Sequence, residues 1–244
     1  MGEWFQNLAD KFYLCFIEDD RWTWLVDGLK NTLIITVFAL LIGVVIGVVI
    51  ATVRSTYDKN GAAMKKKGGA SYVFLKIANV ICSLYLTIIR GTPVVVQLMI
   101  VYFVILVNVQ NGVVVAIIAF GINSGAYVAE IFRSGIMSID QGQFEAGRSL
   151  GFNYIQTMVH IIIPQAVKVI LPTLWNEVIV LVKETSVAGY VGVVDLTKAG
   201  DRIRGRTFEA FLPLIAVAIV YLVLVIILTQ ILRLIERRLR KSEK

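Results

Sequence analysis

The chain has 244 residues, of which 57% are hydrophobic and 17% are charged, and its mean hydropathy is +0.78. Soluble domains are nearer half apolar and a quarter charged, so the composition excludes a soluble domain and indicates an integral membrane protein. The net charge of +7 does not indicate nucleic-acid binding, because the basic residues gather at the ends of apolar segments instead of along one soluble face.

The N-terminal segment, residues 1–27, precedes the first long apolar stretch and is rich in aromatic side chains. Aromatic residues of this kind settle at the headgroup level of a bilayer. We therefore expect residues 1–27 to form an amphipathic, interfacial segment on the external side of the membrane, and residues 28–244 to form the transmembrane domain.

Five apolar segments are predicted to cross the bilayer. A helix needs about 20 residues to cross ~30 Å of hydrocarbon, and the uncharged stretch 32–53 meets this length. The second and third spans lie on either side of a polar cluster at 108–112, because the uncharged stretch around it is too long for one helix. The fourth, around 169–182, is less apolar because it contains proline, asparagine and glutamate, and the fifth is 210–232.

Two basic segments orient these spans. Residues 55–69, with a lysine run and several glycines, are predicted to form a polar cytoplasmic linker, and residues 233–244 form a basic tail. The positive-inside tendency assigns both to the cytoplasm, so an odd number of spans places the N-terminus outside and the C-terminus inside. The loop before the last span is then external and mostly polar, although it also carries four basic residues.

Small residues and one charge pair predict helix contacts. Gly43, Gly47 and Ala51 recur every four residues on the first span and form a smooth strip that another helix could approach closely. Glycine is also simply common in membrane helices, which is the competing interpretation. Arg133 follows Glu130 by three residues and is expected to pair with it.

Polar side chains are embedded in the third and fourth spans. Asn123, Tyr127 and Glu130 recur at i, i+4 and i+7, so they share a face that must contact protein or water. Glu177 and Glu184 also face one way if their helix is regular, about 10 Å apart along its axis. Ionised carboxylates at membrane depth need a partner, and an amino acid with a cationic side chain would provide one. Alternatively, Glu184 lies at the external surface, where its charge costs little.

A charged, glycine-punctuated segment, residues 138–164, separates the third and fourth spans. Its central part reads EAGRSLGFNYIQTMVHIIIP and predicts a helix-turn-helix outside the hydrocarbon. Its residues at the spacing of the EAA loop of ABC importer permeases are Glu145, Ala146, Gly151, Ile161 and Pro164. The third alanine of that pattern is replaced by Gly147, which loosens a helix by up to ~1 kcal/mol relative to alanine.

Further segments match in the same order, so from about Gly28 onward the chain resembles the permease subunits of polar amino acid ABC importers, a family with histidine, arginine and glutamine permeases. The segments are 90–93 with 96–97, 123–124 with 126–127 and 129–130, 141–143, and 176–177 with 183–186. The resemblance implies an all-α membrane protein of the type I ABC importer permease fold. Such a fold has five transmembrane helices, with a cytoplasmic EAA coupling helix between spans three and four.

The resemblance also implies roles for particular residues. The residues implied to couple to an ATPase are Glu145, Ala146, Gly147, Arg148, Ser149 and Gly151. Those implied to bind substrate are Glu177, Glu184, Gln97, Asn123, Tyr127 and Thr185. In the resembling importers, acidic residues at the positions of Glu177 and Glu184 go with basic amino acids, so we expect arginine, lysine or histidine as the substrate. Neutral polar amino acids such as glutamine or cystine are the alternative, and the polar residues could equally hydrogen-bond neighbouring helices.

The chain contains no G-x-x-x-x-G-K-[ST] phosphate loop, so it is not expected to be an ATPase or to bind a cofactor itself. Its single histidine, His160, has no acid or nucleophile pattern around it, and no catalytic or metal-binding residue is assigned. Expected partners are two ATPase subunits carrying ATP and Mg²⁺, a second permease that is identical or a sister subunit, and an external solute-binding protein, all at a bacterial plasma (inner) membrane. A channel or secondary transporter without an ATPase, or a structural membrane protein, are the competing interpretations.

Overall fold

The structure, a computed structural model, describes residues 2–241, and within them the side chains of residues 6–66 and 68–238. The predicted N-terminal segment and basic tail therefore extend outside the described residues. Every regular element in the described part of the chain is helical. The α-helices are α1 (Gly2–Phe12), α2 (Trp22–Lys67), α3 (Ala70–Gly91), α4 (Val94–Ile100), α5 (Gly112–Met137), α6 (Gln141–Ser149), α7 (Tyr154–Thr157), α8 (Ile163–Glu184), α9 (Leu196–Thr207) and α10 (Phe211–Lys241).

Within residues 2–241, five helical segments are long and apolar enough to cross a membrane, which confirms the predicted all-α fold with five spans, although the second span is α3 and not the apolar stretch directly before the polar cluster 108–112. They contain α2, α3, α5, α8 and α10. The shorter apolar helix α4 continues as a π-helical turn over Val101–Ile105. The chain breaks between α3 and α4 because Pro93 disfavours helical backbone at Thr92, which is extended (φ −124°, ψ 147°).

The first spanning helix is longer than predicted. Residues 55–67, predicted as a polar cytoplasmic linker, continue α2 as regular helix. Alanine, methionine and lysine favour helix, and their intrinsic preference outweighs the single Gly61. The helix ends only where Gly68 and Gly69 adopt positive φ angles of 68° and 108°, which glycine tolerates.

The residues form two compact units, described separately below. The first contains residues up to 39, 94–120 and 179–231, and the second contains residues 40–93, 121–178 and those from 232 onward.

In the first unit, the predicted polar external stretch contains the unpredicted helix α9. Asp195 caps it by accepting hydrogen bonds from the backbone N–H of Thr197 at 2.9 Å and of Lys198 at 3.2 Å. Burial raises the pKa of Asp195, and these two hydrogen bonds oppose the rise. The buried residues Leu196 and Ile203 lie on one face of α9 at i and i+7. The apolar residues of this segment therefore do recur with a helical period, although most of their neighbours are polar or charged.

The N-terminal segment packs on α9 in the same unit. Cys15 and Phe16, in a π-helical turn that follows α1, form a buried cluster with Ile203. The guanidinium of Arg202 lies 4.3 Å from the ring centroid of Trp24, a cation–π contact. This segment is therefore part of a packed unit. Its placement at the membrane interface stays a prediction.

In the second unit, the small-residue strip on α2 lies against α5, as the spacing predicted. A Cβ atom at Gly47 would lie 2.5 Å from Val128 Cγ1 and 2.9 Å from the backbone nitrogen of Ala129. A Cβ atom at Gly43 would lie 3.0 Å from Ser124 Oγ. A Cβ atom at Gly47 could not be accommodated without a shift of its neighbours, and one at Gly43 would be tight, so these glycines allow the two helices to approach closely.

Candidate functional site

The segment between the third and fourth spans forms the predicted helix-turn-helix. Asp140 caps α6 by accepting from the backbone N–H of Gly142. After α6 the chain turns at Gly151, whose φ is 81°. Asn153 and Gln156 then form a capping box at the start of α7, with both side-chain-to-backbone distances at 2.9 Å. These local signals are all readable in the sequence, which is why the prediction succeeded.

Helix α6 is held in place by one aromatic anchor. Phe144 is buried in a cluster with Ile136 at the end of α5 and Ile162 just before α8. Ala166 and Ile170, in the first turns of α8, complete the cluster. Because this cluster joins the ends of both flanking spans, α6 is fixed to them as one packed body. A displacement of α6 is therefore transmitted to α5 and α8.

The outer surface of α6 carries most of the predicted coupling residues. Those that are exposed are Glu145, Ala146, Arg148, Ser149 and Gly151, whereas Gly147 is buried. Two apolar side chains that the sequence analysis did not select, Leu150 and Ile155, are each 71% exposed beside them. Exposed apolar residues among charges outside the spanning segments are typical of a surface that binds a partner protein. The sequence did not predict them, because the EAA pattern does not include these two positions.

Gly147 is explained by its neighbour. A Cβ atom there would lie 2.7 Å from both Oγ1 and Cγ2 of Thr157. Thr157 is itself buried, and its hydroxyl donates to the backbone carbonyl of Asn153 at 3.0 Å. Gly147, which stands where the EAA pattern has alanine, therefore makes room for Thr157, whose hydroxyl closes the turn.

Replacing Gly147 with alanine is accordingly expected to lower the midpoint of thermal unfolding. Alanine gains ~1 kcal/mol in helix preference, but overpacking a tight site costs about 1–3 kcal/mol. Adding Thr157→Ala should restore much of the loss, because it removes both atoms that the new methyl group meets. The measurement is thermal unfolding of the detergent-solubilised complex, and a midpoint that rises in Gly147→Ala alone would contradict this packing.

On the substrate side, the structure gives Glu177 a partner. Glu177, on α8, is only 6% exposed, and the hydroxyl of Ser124 on α5 donates to its Oε1 at 3.0 Å. Ser124 is fully buried, next to the predicted residue Asn123, which is also buried. Ser124 was not predicted as a site residue because serine often forms contacts between membrane helices. Only its distance to Glu177 shows that it also contacts a predicted substrate-binding residue. Half-buried Tyr127 lies under the guanidinium of Arg90, which is 5.8 Å from its ring centroid.

The other predicted substrate residues lie in the first unit. Helix α4, which carries Gln97, packs against the 3₁₀ segment Thr185–Val191. Thr185 is fully buried and its hydroxyl donates to the carbonyl of Val182 at 2.7 Å, so this hydroxyl closes the end of α8. Glu184, the last residue of α8, is half-buried. A shared substrate-binding role for these residues and Glu177 stays a prediction.

Comparisons with known proteins identify the family. Residues 68–241 match the family model described as "Binding-protein-dependent transport system inner membrane component". The glutamine transport system permease protein GlnP of Escherichia coli (strain K12) is 36% identical over 220 residues, which cover 88% of this chain and 93% of that protein. The putative glutamine transport system permease protein GlnP of Rickettsia bellii is 42% identical over 158 residues, 64% of this chain and 72% of that protein.

A solved structure supports the same relationship. A chain from the crystal structure of an amino acid ABC transporter with histidines is 37% identical, with a TM-score of 0.78 over 91% of this chain and 98% of that one. The residues that match the family model include the predicted coupling segment, 138–164. The chain therefore belongs to the family of binding-protein-dependent transport system inner membrane components, as a permease subunit of an amino acid ABC importer.

Proposed function

We propose that this chain is the permease subunit of an ATP-driven importer for a neutral polar amino acid such as glutamine. The observation that carries the proposal is the near full-length similarity to a permease named for glutamine transport, which this chain matches over 93% of that protein. Basic amino acids, favoured on the sequence alone, are the second candidate.

The buried Glu177 is compatible with a neutral substrate. Every amino acid carries an α-ammonium group at neutral pH, so a carboxylate at membrane depth finds an opposite charge whatever the substrate side chain is. The Ser124 hydroxyl occupies one oxygen of this carboxylate, and a carboxylate accepts several further hydrogen bonds. We therefore assign Glu177 to the α-ammonium group, which removes the need for a cationic side chain.

Two observations favour the second candidate. Glu184 adds another carboxylate on the same helix, which would suit a substrate with two positive charges. The similar transporter chain of known structure is described with histidines. A basic substrate carries a second positive charge, whereas a neutral substrate carries only that of its ammonium group.

The energy for the transport cycle would come from two separate ATPase subunits that bind ATP and Mg²⁺. The exposed face of α6, with Leu150 and Ile155 beside it, would sit in a groove of an ATPase in the helix-in-groove manner. ATP-driven closure of the ATPases would then displace α6 and exchange inward-facing and outward-facing states. In this arrangement α6 and the C-terminus face the cytoplasm of a bacterial cell, and the N-terminal segment faces outside.

The remaining partners follow from the number of spans. Five spanning helices are too few to enclose a pathway that opens alternately to each side, so we propose a pair of permeases, identical or sister subunits. A solute-binding protein would deliver the amino acid at the outer mouth.

The test is the ATPase rate of the complete complex in lipid nanodiscs, with its binding protein, against a panel of amino acids. Glutamine is expected to stimulate the rate about fivefold or more, which is the lower end of typical coupling between two sites. Stimulation by arginine, lysine or histidine without stimulation by glutamine would support the second candidate. A purified complex that contains no ATPase subunit would contradict both and favour a channel or secondary transporter.

A further inference from the structure

Helix α2 is far longer than a membrane crossing requires. Its 46 residues extend about 69 Å, whereas the hydrocarbon core is about 30 Å thick. The uncharged stretch 32–53 supplies the crossing part, and residues 55–67 continue the same helix for about 20 Å beyond it. We call residues 55–67 the α2 arm. The sequence alone suggested no role for it.

The first contact of the α2 arm is an ionic one with the end of α5. Arg133 Nη1 lies 3.3 Å from Asp58 Oδ2, and its Nη2 lies 3.0 Å from Glu130 Oε2. The pairing of Arg133 with Glu130 was predicted, whereas the pairing with Asp58 was not. The Arg133 and Asp58 side chains are 28% and 31% exposed, so water screens this pair only in part.

The second contact reaches the coupling helix itself. Lys59 Nζ lies 4.4 Å from the ring centroid of Phe144, the residue that anchors α6. On the neighbouring turns of the arm, the side chains of Thr56 and Asn60 lie close enough to the hydroxyl of Tyr154, the first residue of α7, to interact with it. The α2 arm therefore contacts α6, α7 and the end of α5, which are the elements that surround the coupling turn.

The arm is also rigidly joined to the first span. It is the same continuous helix, and that helix lies tightly against α5 at Gly43 and, with no room for a side-chain atom, at Gly47. Spans α5 and α8 are connected to α6 through the chain. Helix α2 is not, so side-chain contacts of the arm are its direct link to the coupling segment.

We propose that the α2 arm is a positioning element of the coupling step, in which Lys59 ties the first span to the coupling helix α6 and Asp58 ties it to the end of α5, to which α6 is packed. This inference rests on the proposed function of α6 as the surface that receives the ATPase. A displacement of α6 is then passed to three spans at once, and the stiffness of a continuous helix carries it into the bilayer.

The competing explanation is that the charges of the arm only keep it soluble. Lys65 and Lys66 are exposed on the same arm and suit that explanation, so they provide matched controls. A merely solvating charge can be replaced without affecting coupling, whereas a charge that positions α6 cannot. Conservative replacement separates the two further, because Asp58→Glu keeps the charge that Arg133 needs.

The experiment reconstitutes the full complex, with its ATPases and binding protein, in liposomes and measures amino acid molecules transported per ATP hydrolysed. Asp58→Asn is expected to lower this ratio about threefold, within the effect that one partly screened ion pair exerts on an equilibrium. Asp58→Glu, and Lys65→Gln with Lys66→Gln, should leave the ratio at the wild-type value. An unchanged ratio in Asp58→Asn overturns the inference.

Two further measurements keep the outcome unambiguous. Lys59→Gln tests the contact with Phe144 independently of Asp58. If the Asp58→Asn complex does not assemble, Lys59→Gln decides the inference: a lower ratio supports it, and an unchanged ratio contradicts it. Crosslinking of α6 to the ATPase in the wild-type complex tests the proposed function separately. If α6 crosslinks and Asp58→Asn, or Lys59→Gln where Asp58→Asn does not assemble, leaves the ratio unchanged, the arm inference alone is wrong. If α6 does not crosslink, the proposed function fails first.

Discussion

Replacing Glu177 with glutamine is expected to lower amino acid uptake by about tenfold or more. The change removes the charge but keeps the shape, and a hydrogen bond to a charged group contributes about 1.5–3 kcal/mol, which is at least tenfold in binding. Because Glu177 is buried, bulk water cannot replace the lost partner of the substrate ammonium group. The measurement is uptake into liposomes that contain the full complex, with substrate-stimulated ATPase activity as a second readout.

The control for this variant separates binding from folding. Glu236→Gln makes the same carboxylate-to-amide change on α10, far along the chain from the polar cluster of Glu177 and Ser124, and it should leave uptake near wild type. Thermal unfolding of both variants shows whether the Ser124 contact was needed for stability, since glutamine can still accept from that hydroxyl. Uptake by a well-folded Glu177→Gln complex within about twofold of wild type, well short of the loss expected for a charged hydrogen bond, would remove Glu177 from the substrate site.

The second large effect is expected from Gly47→Ala, which should lower the midpoint of thermal unfolding strongly. The new methyl group would lie 2.5 Å from Val128 Cγ1 and 2.9 Å from the backbone nitrogen of Ala129, and a backbone atom cannot rotate away as a side chain does. Overpacking of this kind costs about 1–3 kcal/mol, more than the helix preference of alanine returns. Thermal unfolding in one detergent and in nanodiscs measures the change.

Gly61→Ala, on the same helix, provides the matched control with the opposite sign. A Cβ atom at Gly61 would lie 3.5 Å from the ring of Tyr57, an ordinary van der Waals contact. The alanine should therefore stabilise the helix by up to ~1 kcal/mol through its intrinsic preference. If both alanine variants unfold at the same temperature, the close packing of α2 on α5 is not what Gly47 provides.

The contrast between residues 55–67 and α6 shows where sequence reasoning succeeds. Helix α6 has a capping aspartate, a closing glycine and a capping box after it, and each of these acts within four residues. The arm carries lysines and a glycine that suit either a helix or a solvated linker. What this helix packs against could not be predicted, because Arg133 and Phe144, which it contacts, lie more than seventy residues further along the chain.

The candidate substrate site shows the same contrast between residues that the sequence predicts and residues that only the packing identifies. Glu177 could be selected from the sequence because a carboxylate in an apolar segment is costly and needs a reason. Ser124 could not, since a serine in a membrane helix serves many contacts equally well, and only the 3.0 Å distance to Glu177 distinguishes it. The preference for a basic substrate, inferred from two carboxylates, stays a prediction, because the α-ammonium group that all amino acids share would also suit Glu177.

By itself, the sequence determined that this chain is a membrane protein with five helical spans and a helix-turn-helix between the third and fourth. Segment length, hydropathy and capping residues act locally, and their physical effect does not depend on what packs against them. Only the tertiary structure decided which polar groups meet, why glycine stands at position 147, and what the α2 arm contacts. Those outcomes depend on distances between residues far apart in the chain, and packing sets such distances to within a methyl group.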